Sequence, residues 1–549
     1  MKRSSISAGA LVFFLIVSIL PIAARSQTDA PMYDLVIRNG RVLDGGGNPW
    51  ILADVAIKDG KFVRIGRVEG KGKREIDATG RYVSPGWIDM LDQSGGVLLK
   101  NGLAESKLQM GVTTGIAGEA GTPVAAEKLP EYFATLEKNG ISMNFGTAYS
   151  ETQARVAVVG QDARDPTPAE LDRMRSIIET AMKAGALGIT TALIYPPASY
   201  SKTDELVEMA KVAGRYGGIY SSHIRGEGKE LVQAIDEAIT IGEKGGLPVE
   251  IFHLKAAYQP GWGVLMGQAG EEISAARSRG LDVAADMYLY TAGGTSLSAV
   301  VPSWAAEGGN AKLMERLKDP AIRTRLKGEI KTGSPGWWNL VEASGGWDRI
   351  VLVEGGSKEN NQFENKSIAQ IAKELNKDPA DAAFDLILQA NGRAGALYYM
   401  MSDGDIETAV KFPWVSLGSD SAASLTTIDP NTVGSGHPRG YGNFPRLIAE
   451  YVRDKKVLTL PEAIRKLSGW PATRMRLNGR GFIKAGCWAD VVIFDYDKIK
   501  DQSTYEHPFV PPTGIDYVLV NGQVTIDHGK HTGAKAGKVL YGPGRQISQ

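Results

Sequence analysis

Eight short apolar stretches alternating with helix-forming segments constrain this chain more than any other feature. They are YVSPGWIDM (82–90), TTGIAGEAG (113–121), ISMNFGTAY (141–149), LGITTALIY (187–195), GIYSSHI (218–224), PVEIFHL (248–254), LDVAADMYLY (281–290) and WVSLGSD (414–420). Strand-helix alternation predicts parallel βα units, and eight of them predict a closed (β/α)8 barrel of the TIM type within an α/β fold. Helices are legible between them. Thr167-Pro168-Ala169-Glu170 has the form of a capping box with proline at the first helical position, ahead of Leu171, Met174, Ile178 and Ala181 on one face. Residues 203–216 repeat that spacing with Leu206, Met209, Ala210 and Ala213. The long gap between the seventh and eighth strands, with its GSPGWWN run (333–339), reads as an insertion at about 300–365 over the mouth of a barrel spanning 86–475.

Both ends of the chain carry different chemistry. DLVIRNGRVLDG (34–45) and DVAIKDGKFVRIG (54–66) are strand-turn-strand patterns in which Asn39-Gly40 and Asp59-Gly60 suit tight hairpins. ADVVIFD (489–495) and YVLVNGQVTID (517–527), with a turn at Asn521-Gly522, repeat the pattern. One small β-sandwich assembled from 27–85 and 476–549 is therefore expected. Ahead of it, Lys2 and Arg3, an apolar run from Ala8 to Leu20 and Ala24-Arg25-Ser26 have the form of a signal peptide over residues 1–26. That form predicts an exported protein, periplasmic or extracellular. No later stretch approaches the roughly 20 apolar residues of a membrane span. Lys+Arg and Asp+Glu balance at 62 each, so no net field favours nucleic acid or an anionic membrane. Cys487 is the only cysteine, which excludes an internal disulfide and leaves stability to a large core.

In a (β/α)8 barrel, side chains at the C-terminal strand ends converge on the mouth. Here the ionisable residues fall at those ends: Glu119 after strand two, His223 and Arg225 after strand five, His253 and Lys255 after strand six, Tyr288 after strand seven and Asp420 after strand eight. A lone histidine at a strand end reads as hydrogen-bonded structure. Two of only six histidines at consecutive strand ends, converging with a carboxylate, read instead as ligands for zinc. Strand alternation places Lys255 beside His253. Asp420 ends a buried strand, where a carboxylate either caps a turn or acts as a base toward an activated water.

Several motifs together carry a resemblance. GITTALIYPPASY (188–200), SSHIRGEG (221–228), EIFHLKAA (250–257), LGSD (417–420) and HPRGYGNFPR (437–446) resemble, in order, the N-acyl-D-amino-acid deacylase (D-aminoacylase) branch of the amidohydrolase superfamily. The resemblance implies a zinc-dependent barrel with a split β-sandwich, with His223 and His253 as metal ligands and Asp420 as catalytic aspartate. It also implies that Lys255, Arg439 and Tyr288 hold the substrate carboxylate, with His437 in the same loop as Arg439; the insertion and aromatic loops such as Tyr195-Pro196-Pro197 are expected to set the acyl preference. The expected substrate is a small carboxylate-bearing amide, of D configuration by the resemblance alone.

Two departures matter. Where the superfamily carries His-x-His after the first strand, PGWIDMLDQSG (85–95) has Leu91 and Gln93, neither able to replace imidazole as a strong zinc ligand. Where the better-known deacylases have a cysteine near the end of strand two, GEAG (118–121) offers Glu119, read here as the third ligand, with Asp89 and Asp92 as the alternatives. One tightly held zinc is expected and a second site is doubtful. Two other readings stay open on the sequence: a hydrolase of another C–N bond, such as a cyclic amide, dipeptide or lactam, and a metal-free binding protein that kept the barrel.

Overall fold

The structure is a computed structural model that describes Met1, residues 32–424 and residues 436–546. Apart from Met1, the export segment expected at 1–26 lies outside the described residues.

The eight strands form as Trp87–Asp92, Val112–Ala117, Asn144–Thr147 continuing as Tyr149–Ser150, Gly188–Ala192, Ile219–His223, Val249–Ile251, Val283–Met287 and Val415–Leu417. All their pairings are parallel, and nearly every residue in them is buried, as both faces of a helix-wrapped sheet must be. Strand three bends at Ala148. Its first half pairs with strand two and its second half with strand four, which joins the two sheets. The ring closes where Asp420 N–H donates to Leu91 O at 2.8 Å, Gln93 N–H donates to Ser421 O at 3.1 Å, and Asp92 bridges Ser421. This seam brings the tips of strands one and eight together, and it becomes one wall of the site.

The helices follow the sequence signals. Thr167 and Glu170 form both halves of the capping box on Pro168–Ala184, which buries Met174, Ile178 and Ala181. Thr203–Arg215 buries Leu206, Met209, Ala210 and Ala213.

Three local expectations are corrected. The stretch 82–90 is two strands: Tyr82–Pro85 belongs to the terminal sheet, and the barrel strand starts at Trp87. Gly86 separates them because a Cβ there would fall 2.1 Å from Thr113 Oγ1. Asn39-Gly40 is not a hairpin turn. The strand Tyr33–Val42 runs through it as a bulge, with Asn39 at φ 59°. Asp59-Gly60 and Asn521-Gly522 do close hairpins, with both residues of each pair at positive φ. The insertion is wider than 300–365: its antiparallel sheet of Ala292–Ser296, Ile350–Glu354 and Gly395–Tyr399 already begins at 292 and ends at 399.

The terminal sheet has nine strands drawn from both chain ends, joined where Tyr82–Pro85 pairs with Val491–Phe494. Leu35, Ile37, Val55, Val83, Val491 and Leu519 build its core. The insertion has a separate core around Leu297, Leu313, Phe384 and Tyr398.

Candidate active site

Glu119 stands two residues past strand two, His223 is the last residue of strand five, and His253 lies two residues past strand six. Glu119 Oε1 is 3.0 Å from His223 Nδ1 and 3.1 Å from His253 Nε2. One donor atom from each residue lies within 4.8 Å of the other two, and all three residues are buried. Two imidazole nitrogens and one carboxylate oxygen form the three-ligand set of a catalytic zinc site, so the residues present fit that ion. Gly118 sets the approach of Glu119. It has φ +130°, and a Cβ there would lie 2.6 Å from Ala148 O.

Electrostatics support the fit. Burial opposes charge on Glu119, but His223 and His253 outweigh it and hold the carboxyl well below the usual range. Burial keeps His223 below its ordinary pKa. Burial also opposes protonation of His253, yet Glu227 and Glu119 on either side raise it to about 10. Zinc would compete with that proton, because only the neutral imidazole is a ligand.

Glu227 was not singled out by the sequence. Its Oε1 is 3.0 Å from His253 Nδ1 and its Oε2 is 3.7 Å from His223 Nε2, so it faces the ring nitrogens that point away from Glu119. At His253 it is close enough to orient the ring, as a carboxylate behind a metal-binding imidazole does, whereas His223 Nε2 has no hydrogen-bond partner among the described residues. Its only signal was its place four residues after His223 in SSHIRGEG.

A cavity of about 260 Å³ is lined by the trio together with Gln93, Tyr195, Lys255, Tyr288, Asp420 and Arg439, and by Trp338 and Leu340 of the insertion. Asp420 sits three residues past strand eight at φ 48°, with Oδ2 2.9 Å from Arg439 Nη1 and Oδ1 accepting from Gln93 Nε2 at 3.2 Å. Arg439 lies over the Tyr288 ring at 4.6 Å, and the Tyr195 hydroxyl is 2.8 Å from Thr295 Oγ1. A larger groove of about 590 Å³, beside Tyr258 and the Gly-Trp-rich loop, contains none of the trio.

Several expectations change. The strand ends at Ile251, so alternation does not place His253 beside Lys255; His253 turns at φ 37° and Lys255 reaches back, its Nζ 2.7 Å from His253 Nδ1. That ammonium is also paired with Glu227 Oε1 at 2.5 Å, as Arg439 is with Asp420, and Lys255 still lines the cavity. His437 is committed internally: one ring nitrogen lies 2.8 Å from Ala292 O and the other accepts from Arg439 N–H at 3.1 Å. It shapes the Arg439 loop and has no ring nitrogen left for a ligand. Arg225 is tied to Glu237 at 2.8 Å, away from the trio. Asp89 and Asp92 are no alternative ligands, because the fully buried Lys107 ammonium takes both, at 2.7 and 2.8 Å.

A barrel with a split β domain and a buried His-His-carboxylate trio at its strand tips defines an amidohydrolase, and the profile of the amidohydrolase family Amidohydro_3 matches residues 379–526. The chain is 30% identical over 510 residues to the N-acyl-D-glutamate deacylase of Alcaligenes xylosoxydans xylosoxydans, covering 89% of this chain and 93% of that protein. It is 29% identical over 541 residues to the D-aminoacylase of the same organism, covering 94% of this chain and 99% of that protein. A solved D-aminoacylase, studied for its binuclear metal centre, superposes with a TM-score of 0.77 at 28% identity over 93% of this chain and 100% of that one. The N-acyl-D-glutamate deacylase of Bordetella bronchiseptica, solved with zinc and a phosphonate inhibitor, gives 0.75 at 27% identity over the same shares. The chain belongs to the N-acyl-D-amino-acid deacylase family of amidohydrolases.

Proposed function

We propose that this protein is a zinc-dependent hydrolase of the amide bond in N-acyl-D-amino acids. The observation that carries the reading is the convergence of Glu119, His223 and His253 in one cavity with Asp420 and Arg439. Glu119, His223 and His253 would hold the ion, which supplies carbonyl polarisation and brings water to a pKa near ~7.

The remaining work falls to the chain. Asp420, at the cavity wall, accepts the proton of the attacking water and returns it to the nitrogen as the C–N bond breaks. Arg439 presents a buried guanidinium whose Nε has no partner among the described residues, and it holds the substrate carboxylate next to that bond. Tyr288, under that guanidinium, fixes its plane. Trp338 and Leu340 of the insertion and Tyr195 line the space open to the acyl group or side chain. The residues 1–26 support export, with the mature protein periplasmic or extracellular.

The test is zinc content and deacylase activity of the purified protein and of His253→Ala, with N-acetyl-D-amino acids, their L enantiomers, cyclic amides and dipeptides as substrates. Stoichiometric zinc, D-selective deacylation and loss of both in the variant are expected. Turnover of only cyclic amides or dipeptides, or activity in protein that holds no metal, overturns the reading.

A further inference from the structure

The wall formed by strands one and eight has a chemistry of its own. Gln93 Nε2 donates to Glu119 Oε2 at 2.5 Å and to Asp420 Oδ1 at 3.2 Å. Both neighbours are acceptor-only carboxylates, so the amide nitrogen and not the oxygen must face them. Each carboxylate is divided by this contact. Glu119 gives Oε1 to the imidazoles and Oε2 to the amide, while Asp420 gives Oδ1 to the amide and Oδ2 to Arg439. The other groups on this wall are also occupied. Leu91 is fully buried, and Lys107 neutralises Asp89 and Asp92 while its ammonium reaches Ser419 Oγ at 2.7 Å and Ser421 O at 2.6 Å, on either side of Asp420.

From this geometry we propose that Gln93 is a positioning residue that links the metal-ligand carboxylate to the catalytic carboxylate, and that its neutral amide makes the centre strictly mononuclear. The proposal rests on the zinc-hydrolase reading above. Two carboxylates facing one another need positive charge or hydrogen-bond donors between them. A second dication would meet that need by taking Asp420 as a ligand, which competes with its use as a base. An amide meets it with two N–H groups and leaves Asp420 able to accept a proton. The Gln93 backbone is pinned independently, because its N–H donates to Ser421 O at the barrel seam, so side-chain replacement leaves the main chain held.

The experiment titrates apo-protein with zinc and reads bound metal per chain by elemental analysis, alongside kcat and KM. Wild type is expected to saturate at one equivalent. Gln93→Glu and Gln93→His, which place a ligand where the amide was, are expected to take up a second. Gln93→Leu is expected to keep one equivalent and an unchanged melting temperature, while kcat falls about 10- to 100-fold with KM changing less than about threefold, as for loss of a supporting contact at a metal site. Two tightly held ions in the wild type, or a Gln93→Leu variant with unaltered kcat, overturns the proposal. Absence of any bound zinc in the wild type instead overturns the functional reading beneath it.

Discussion

His253 and Asp420 are both held in left-handed backbone conformations, at φ 37° and 48°, which residues other than glycine adopt at a cost on the order of 1 kcal/mol each. The surroundings hold them there: His253 N–H donates to Asp286 Oδ1 at 2.9 Å, and Asp420 N–H donates to Leu91 O. Because Asp420 contacts none of the ligand nitrogens, Asp420→Asn separates catalysis from metal binding. It is expected to lower kcat by about 10³-fold with zinc content retained, read by steady-state kinetics and metal analysis on the same sample. Glu227→Gln acts through the imidazoles and should weaken zinc affinity about 10- to 100-fold, measured by competition with a chelator. At this scale the sequence was informative where a residue type was unusual for its position. Histidines and an aspartate ending apolar strands stand out because a barrel core has no use for them there. Glu227 and Lys107 were not singled out, since glutamate in a polar run and lysine in a helix look like solvated surface until tertiary contacts bury them, and Gln93 stands out only as the position where an imidazole is missing. The commitment of His437 was likewise hidden, because it is decided by a backbone carbonyl distant in sequence.

The elements were legible through period and punctuation: eight buried runs, a capping box, and the hairpins at Asp59-Gly60 and Asn521-Gly522. Their ends were less so. The strand expected at 248–254 stops three residues early at Ile251, the strand expected at 82–90 breaks at Gly86, and Asn39-Gly40 serves a bulge, because hydrophobic pattern alone does not fix where a ladder of hydrogen bonds stops. The most consequential of these ends is Gly118, where strand two finishes and the chain turns Glu119 into the cavity. Gly118→Ala must accommodate a methyl group 2.6 Å from Ala148 O at a φ that L residues rarely adopt. The expected result is a loss of about 2–3 kcal/mol in stability and a displaced Glu119. Urea unfolding reads the first, and zinc affinity reads the second.

Across the whole molecule, with Cys487 free, cohesion comes from packing and buried polar joints. One joint ties barrel to terminal sheet: Asn144 of strand three donates to Asp490 at 3.2 Å and accepts from Asn521 at 2.8 Å. Another lies among the barrel helices, where Arg155 Nη1 donates to both Glu205 oxygens at 2.7 and 2.8 Å and Ser201 Oγ is 3.4 Å from Glu151 Oε1. Glu151 is fully buried, its Oε2 has no hydrogen-bond partner among the described residues, and burial followed by the charge of Glu205 pushes its pKa up from 4.5 to about 8. The folded protein therefore keeps a proton on Glu151 that the unfolded chain releases near 4.5. Between those two values the folded state binds more protons, so this group's contribution to stability is complete below about pH 4.5, falls as pH rises, and is lost above about 8. Glu151→Gln removes the ionisation while keeping the shape. The difference in unfolding free energy between wild type and variant, followed by urea titration from pH 5 to pH 8.5, should move against the wild type by on the order of 3 kcal/mol. A difference that stays flat over that range would show Glu151 to be ionised in the folded protein and the joint to be held by Arg155 alone.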